Sequence, residues 1–137
     1  MLSSVLVGLS AGLILILGAV HLLYTFRGRR LFPRDAELQA SMDSVSPKIS
    51  DQTTMWRAWV GFNASHSMGA ILFGLLYGYL ALFEVDLLFG SIYLLTVGIA
   101  MLSGLVVLAR QYWFAVPLVG ISASLICFVT GVVVWWL

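Results

Sequence analysis

Charge is what this sequence has least of. Acidic and basic residues make up 9% of its 137 residues, whereas 61% are hydrophobic and the mean hydropathy is +1.04. A water-soluble domain of this size carries roughly a quarter of its residues charged, so the outer surface of this chain must face lipid. Cysteine is nearly absent: Cys127 stands alone in an apolar run. That excludes an internal disulfide, a CxxC dithiol and a cysteine-built zinc site within one chain, and Cys127 reads as a small packing residue. No acidic residue falls inside an apolar stretch, which argues against proton-coupled transport through a membrane-embedded carboxylate. HExxH, GxSxG and the clustered histidines of a di-iron oxygenase are missing too, so no catalytic residue is assigned and an enzyme is not the expected reading. There is no basic stripe with interleaved aromatics, and nucleic acid is not an expected partner.

What is present is four apolar segments, at 4–26, 57–83, 88–109 and 115–136. Each is long enough for the about 20 helical residues that cross a bilayer. The expected fold is an all-α membrane protein: a single domain over 1–137 with four transmembrane helices in an antiparallel bundle. The first segment reads as a retained helix. It lacks a basic leader and runs into Arg27-Gly28-Arg29-Arg30 instead of a small-residue cleavage site. All seven basic residues, Arg27, Arg29, Arg30, Arg34, Lys48, Arg57 and Arg110, fall at one membrane face, and the other has only Glu84 and Asp86. The positive-inside rule then places the 27–56 connection and the 110–114 turn in the cytoplasm, with both termini outside. Trp56, Trp59, Tyr112 and Trp113 fit an inner aromatic belt, and Trp135 with Trp136 an outer one.

The 27–56 connection has a pattern of its own. Pro33 can open a helix, and Leu38, Met42 and Val45 recur at helical spacing among charged residues between Arg34 and Val45. This predicts a short amphipathic helix on the inner leaflet, its basic flank drawn to anionic lipid. Arg27–Arg34 itself reads as a topology signal. Ser46-Pro47 ends the helix, and Ser50 or Asp51 caps the next.

Small residues mark the packing faces, because helices in lipid associate where backbones approach closely. On the fourth span Gly120, Ser124, Cys127 and Gly131 share an arc. On the second, Asn63, Ser67, Ala70, Gly74 and Gly78 share one face, with Gly61, Ser65 and Gly69 opposite; on the third, Thr96, Ser103 and Arg110 recur every seven residues. Two small-residue faces predict that the second span is central, or that it also meets another subunit of a homo-oligomer. The two halves show no internal repeat, which weakens an inverted-repeat transporter.

The chain has two histidines, and their depths match. His21 lies about five residues inside the inner end of the first span and His66 about as far inside the second, so both sit roughly 5–8 Å below the cytoplasmic edge. Tyr24 and Thr25 accompany His21, Asn63 and Ser67 flank His66, and Arg57 and Arg110 reach the same leaflet. An ionisable group at this depth is costly and therefore a functional candidate. Four readings stay open. The histidines are a structural polar clasp; they belong to a pocket for a lipid, quinone or small anion, with Arg57 and Arg110 as its cationic rim; they are axial metal ligands of a haem b; or they hold zinc or another metal. A haem needs their nitrogens about 4 Å apart, and Gly18 and Gly69 supply space for it.

Gly18-Ala-Val-His21-Leu-Leu-Tyr-Thr-Phe-Arg-Gly and Thr53-Thr-Met-Trp-Arg-Ala-Trp-Val-Gly-Phe-Asn-Ala-Ser-His-Ser resemble a family of small bacterial four-span membrane proteins with no assigned activity. The resemblance covers the whole chain and implies its fold and topology; it brings no reaction and no catalytic residue. The expectation is thus a bacterial inner-membrane protein with a polar pocket at the cytoplasmic leaflet, formed by His21, Tyr24, Thr25, Arg57, Asn63, His66, Ser67 and Arg110. Its partners would be membrane lipids, a lipid-like ligand or another membrane protein. The alternatives are a redox module holding haem or quinone and a small oligomeric transporter or channel.

Overall fold

A computed structural model describes all of residues 1–137. They form six helices and no strand: α1 (Leu2–Phe26), α2 (Ala36–Ser44), α3 (Met55–Phe83), α4 (Val85–Gly90), α5 (Ile92–Tyr112) and α6 (Ala115–Trp136). Of these, α1, α3, α5 and α6 are long and apolar enough to cross a membrane. Large apolar side chains such as Leu9, Ile16, Leu72, Leu82, Val119 and Ile126 remain more than half exposed along them, as a lipid-facing surface requires. The protein is an all-α, multi-pass membrane protein.

The first two spans begin two residues earlier, and the third ends three later, than the sequence reading has them; three further differences have a local cause. The third span begins at Ile92, not 88, because Val85–Gly90 forms its own short helix and the Ser91 side chain accepts the Leu94 N–H at 3.3 Å, starting a new helix there. The short helix α2 begins at Ala36, not at Pro33. Asp35 is its cap, with Oδ1 accepting the N–H groups of Glu37 and Leu38 at 2.8 and 3.3 Å. Neither Ser50 nor Asp51 caps α3. Thr54 does, its Oγ1 accepting the Arg57 N–H at 3.3 Å, while the Ser50 hydroxyl is used one turn earlier by Gln52.

Contacts divide the chain into two units, Met1–Leu17 with Ala70–Leu137, and Gly18–Gly69. The first holds the apolar core, fifteen buried residues running from Val7 on α1 to Phe128 on α6. Within it α1 runs antiparallel to α6: Ser3, Ser10 and Leu17 lie against Gly131, Ser124 and Gly120 in turn. Ser10 and Ser124 exchange a 2.8 Å hydroxyl contact, and Ser124 Oγ also donates to the Ser10 carbonyl at 3.0 Å, so both buried hydroxyls are satisfied. A methyl on Gly74 would sit 2.6 Å from Leu15 Cβ and 2.8 Å from the Ala11 carbonyl, so α3 meets α1 almost backbone to backbone. Gly98 of α5 leaves the space that the Phe128 ring fills. Phe128 also meets Tyr77 edge-on at 5.3 Å, and Tyr77 donates its hydroxyl to the Leu94 carbonyl at 2.7 Å. Short as it is, α4 buries Leu88 and Phe89 completely, and Phe89 stacks on Trp135 at 4.5 Å.

The predicted α6 face packs as read. The predicted α5 stripe does not: Thr96 and Arg110 are exposed, and the buried side is Leu95, Gly98, Leu102, Leu105 and Ala109. Aliphatic and small residues make the seam there; Thr96 lies outside it and Ser103 is half-buried at its edge.

The second unit holds the C-terminal end of α1, the turn after it, α2 and the start of α3. Gly28, with φ +85°, permits the sharp turn that ends α1. The Trp59 indole N–H donates to the Leu31 carbonyl at 3.2 Å, Phe32 packs on Trp56 at 4.4 Å, and the Met55 N–H donates to the Val45 carbonyl at 2.8 Å. The connection is therefore tied to α3 at both ends of α2. The Gly61/Ser65/Gly69 face of α3 has no neighbour within 4 Å of Gly61 or Gly69.

Candidate functional site

The Gly18–Gly69 unit buries little except polar side chains, and these form one connected cluster. His21 Nε2 lies 3.0 Å from Asn63 Oδ1, and Asn63 Nδ2 donates to the Trp59 carbonyl at 2.8 Å. A backbone carbonyl can only accept, so the amide's NH₂ must face Trp59 and its oxygen must face His21. That orientation makes His21 the donor and fixes the proton on its Nε2. Asn63 is 7% exposed and Ser67 is fully buried, with Ser67 Oγ donating to the Asn63 carbonyl at 2.8 Å. Thr25 Oγ1 donates to the His21 carbonyl at 2.9 Å. Both hydroxyl protons are thus used within their own helices.

The two imidazoles meet edge to face, with centroids 5.7 Å apart and planes at 85°, and Phe62 lies parallel to His66 at 6.5 Å. His21, Asn63 and His66 are therefore in one place, on neighbouring turns of antiparallel segments. Tyr24 faces elsewhere: its ring lies 4.4 Å from the Arg30 guanidinium. Arg57 is exposed in the first turn of α3. Arg110 belongs to the other unit, exposed in the last turn of α5. His21, with Nε2 engaged by Asn63, could ligate a haem through that nitrogen only after the amide had moved away. Ser65 donates to the Phe62 carbonyl at 2.9 Å, so neither serine beside His66 is poised as a nucleophile.

The open space of this unit is elsewhere. Two shallow depressions lie along α2, one of about 360 Å³ lined by Leu38, Ser41, Met42, Val45 and Met55, the other of about 320 Å³ lined by Leu31, Phe32, Pro33, Leu38, Met42 and Trp59. They share Leu38 and Met42, which stand as a ridge between them, so α2 has an apolar depression on each side, and neither is lined by the histidines. Leu38 and Val45 are about half exposed, an apolar face that the unit itself leaves uncovered. The recurrence of Leu38, Met42 and Val45 signals the helix face. The contribution of Leu31, Phe32 and Trp59 depends on the Gly28 turn and carries no periodic signal.

Compared with protein-family models, with curated proteins and with solved structures, the chain matches none.

Proposed function

We propose that this chain is a non-enzymatic module of the bacterial inner membrane that holds a lipid-like amphiphile at the cytoplasmic leaflet. In this reading the 27–56 connection faces the cytoplasm, as the one-sided distribution of basic residues requires, and α2 lies along the interface. The observation that carries the reading is the pair of apolar depressions flanking α2, in a unit, Gly18–Gly69, that holds six of the seven cations. An apolar trough beside cations suits a ligand with a hydrocarbon part and a polar end. The His21–Asn63–His66 cluster then acts as an interhelical clasp that keeps α1 and α3 together beneath the groove-forming segment.

The test is lipid analysis of protein purified in mild detergent. One class of amphiphile should be enriched over the bulk extract, and Leu38→Ser with Met42→Ser should abolish the enrichment. A lipid content equal to that of an unrelated four-span protein would refute the reading, whereas stoichiometric recovery of one membrane protein without lipid would favour a protein partner.

The second reading, a redox module with haem or quinone, rests on the 5.7 Å approach of the imidazoles. A Soret band lost in both His21→Ala and His66→Ala would establish haem. The engaged Nε2 of His21 favours the clasp instead, and protein from haem-replete cells is expected to be colourless.

A further inference from the structure

The turn between α1 and α2 carries two guanidiniums that each lie over an aromatic ring, which a topology signal does not need. Orientation by the positive-inside rule depends only on the number and side of basic residues; it does not require their heads to be fixed. Here Gly28 turns the chain, the Phe32 N–H closes on the Arg29 carbonyl at 3.2 Å, and each guanidinium lies over an aromatic ring. Arg29 sits 5.6 Å from the Phe32 centroid and Arg30 sits 4.4 Å from that of Tyr24. Neither is ion-paired, and both residues are exposed. The nearest carboxylate in sequence, Asp35, is occupied as the cap of α2.

A guanidinium held on a ring face by its cation–π attraction keeps its N–H edges free. Those edges match the oxygens of a phosphate in pairs, as an ammonium cannot. Phe32 joins the two halves of the argument, because the ring under Arg29 also lines the 320 Å³ depression. Leu31 and Pro33, on either side of it, line the same depression. A cationic rim therefore opens directly onto an apolar trough. Free phosphate would have no use for the trough, and a neutral amphiphile would have none for the two guanidiniums.

We propose that Arg29 and Arg30 form the headgroup site for an anionic phospholipid whose acyl chain lies against Phe32, Leu38, Met42 and Trp59. The assignment rests on the lipid-binding reading above and adds to it the ligand's charge and the residues that recognise it. Aspartate and glutamate side chains on α2 (Glu37 and Asp43) are exposed and oppose general attraction of anions, so selectivity must come from the fixed pair.

The experiment is native mass spectrometry of the full chain with equal amounts of phosphatidylglycerol and phosphatidylethanolamine of identical chains. The anionic lipid is expected to bind preferentially. Arg29→Gln or Arg30→Gln should each reduce that preference about 5-fold, and the double substitution about 30-fold. The double Arg29→Lys, Arg30→Lys variant keeps the charge and should still bind the anionic lipid several-fold more weakly, because lysine lacks the planar fork that pairs with the phosphate oxygens. Arg34→Gln with Lys48→Gln should leave the preference in place. Unchanged affinity for the anionic lipid in the double lysine variant, or an equal loss of preference in the Arg34/Lys48 variant, would mean diffuse attraction and overturn the site. Equal binding of both lipids would overturn the headgroup assignment while leaving a lipid-binding groove. Binding of neither would overturn both. Displacement of the lipid by millimolar inorganic phosphate would make this a free-anion site and overturn the phospholipid as its occupant.

Discussion

Replacing Asn63 by leucine should cost more than the bond it removes. The Asn63 amide joins His21 Nε2 at 3.0 Å to the Trp59 carbonyl at 2.8 Å. Losing the second contact matters little, since Trp59 precedes Asn63 by one helical turn and its carbonyl keeps the backbone N–H of that turn. Losing the first orphans a donor. An interhelical hydrogen bond in a membrane protein contributes about 0.6 kcal/mol on average and up to about 1.7, whereas a fully buried donor left unpaired costs about 1–3 kcal/mol. His21 is half-buried, so Asn63→Leu should destabilise by about 1–2 kcal/mol, the lower part of that range. His21→Leu leaves only an amide oxygen unpaired, and the double substitution removes both partners, so it should be less harmful than the sum of the singles. The coupling is expected at about 0.6–1.7 kcal/mol, a change of about 3- to 18-fold in the unfolding constant. Steric trapping in bicelles, or denaturant titration in mixed micelles, would measure the four corners of the cycle. Additive single substitutions, with coupling near zero, would refute the clasp. Asn63→Asp sharpens the test. It keeps an acceptor for His21 but turns a second oxygen toward the Trp59 carbonyl, so it should be worse than Asn63→Gln if the amide is oriented as deduced.

Gly74→Ala should destabilise by about 1–3 kcal/mol, because the new methyl meets the Ala11 carbonyl at 2.8 Å and the α1 backbone must yield; Gly61→Ala, with nothing within 4 Å, should be neutral or slightly stabilising by the same unfolding assay. Tyr77→Phe keeps the ring against Phe128 and loses only the 2.7 Å bond to Leu94, for an expected cost of about 0.5–1.5 kcal/mol in thermal unfolding. In a Cys127→Ser background, Ser44→Cys should react with a membrane-impermeant maleimide in inside-out vesicles and not in intact cells; labelling in intact cells would reverse the proposed orientation.

Much of this arrangement was legible in the sequence, for reasons that differ by element. The four spans follow from hydropathy, because lipid demands unbroken apolar helices. The meeting of His21 with Asn63 and His66 follows from equal depth on consecutive antiparallel segments. Gly120, Ser124 and Gly131 on α6 are readable because close approach in lipid selects small residues. The hidden elements depend on local chemistry that periodicity cannot express. Leu87, Leu88 and Phe89 continue the apolar pattern of α5, and only the Ser91 side chain separates α4 from it. Thr96, Ser103 and Arg110 form a regular stripe, yet the packed side follows Gly98, where a missing side chain admits Phe128. The arginine–ring pairs depend on one left-handed glycine and could not be foreseen from composition. The second depression, likewise, joins Leu31 to Trp59 across the whole of α2 and the loop after it.

The hydrogen bond from Met55 to the Val45 carbonyl has a consequence for how a ligand would be handled in time. It closes the loop 46–54 and fixes the far end of α2, while the Asp35 cap fixes the near end. The trough is thus a standing feature of the fold, and no segment has to be ordered when something enters it. Entry to such a site is limited mainly by encounter, so rival occupants would differ chiefly in how long they stay. Shortening a lipid's tail should accordingly be seen as faster exchange, with little change in the rate of capture.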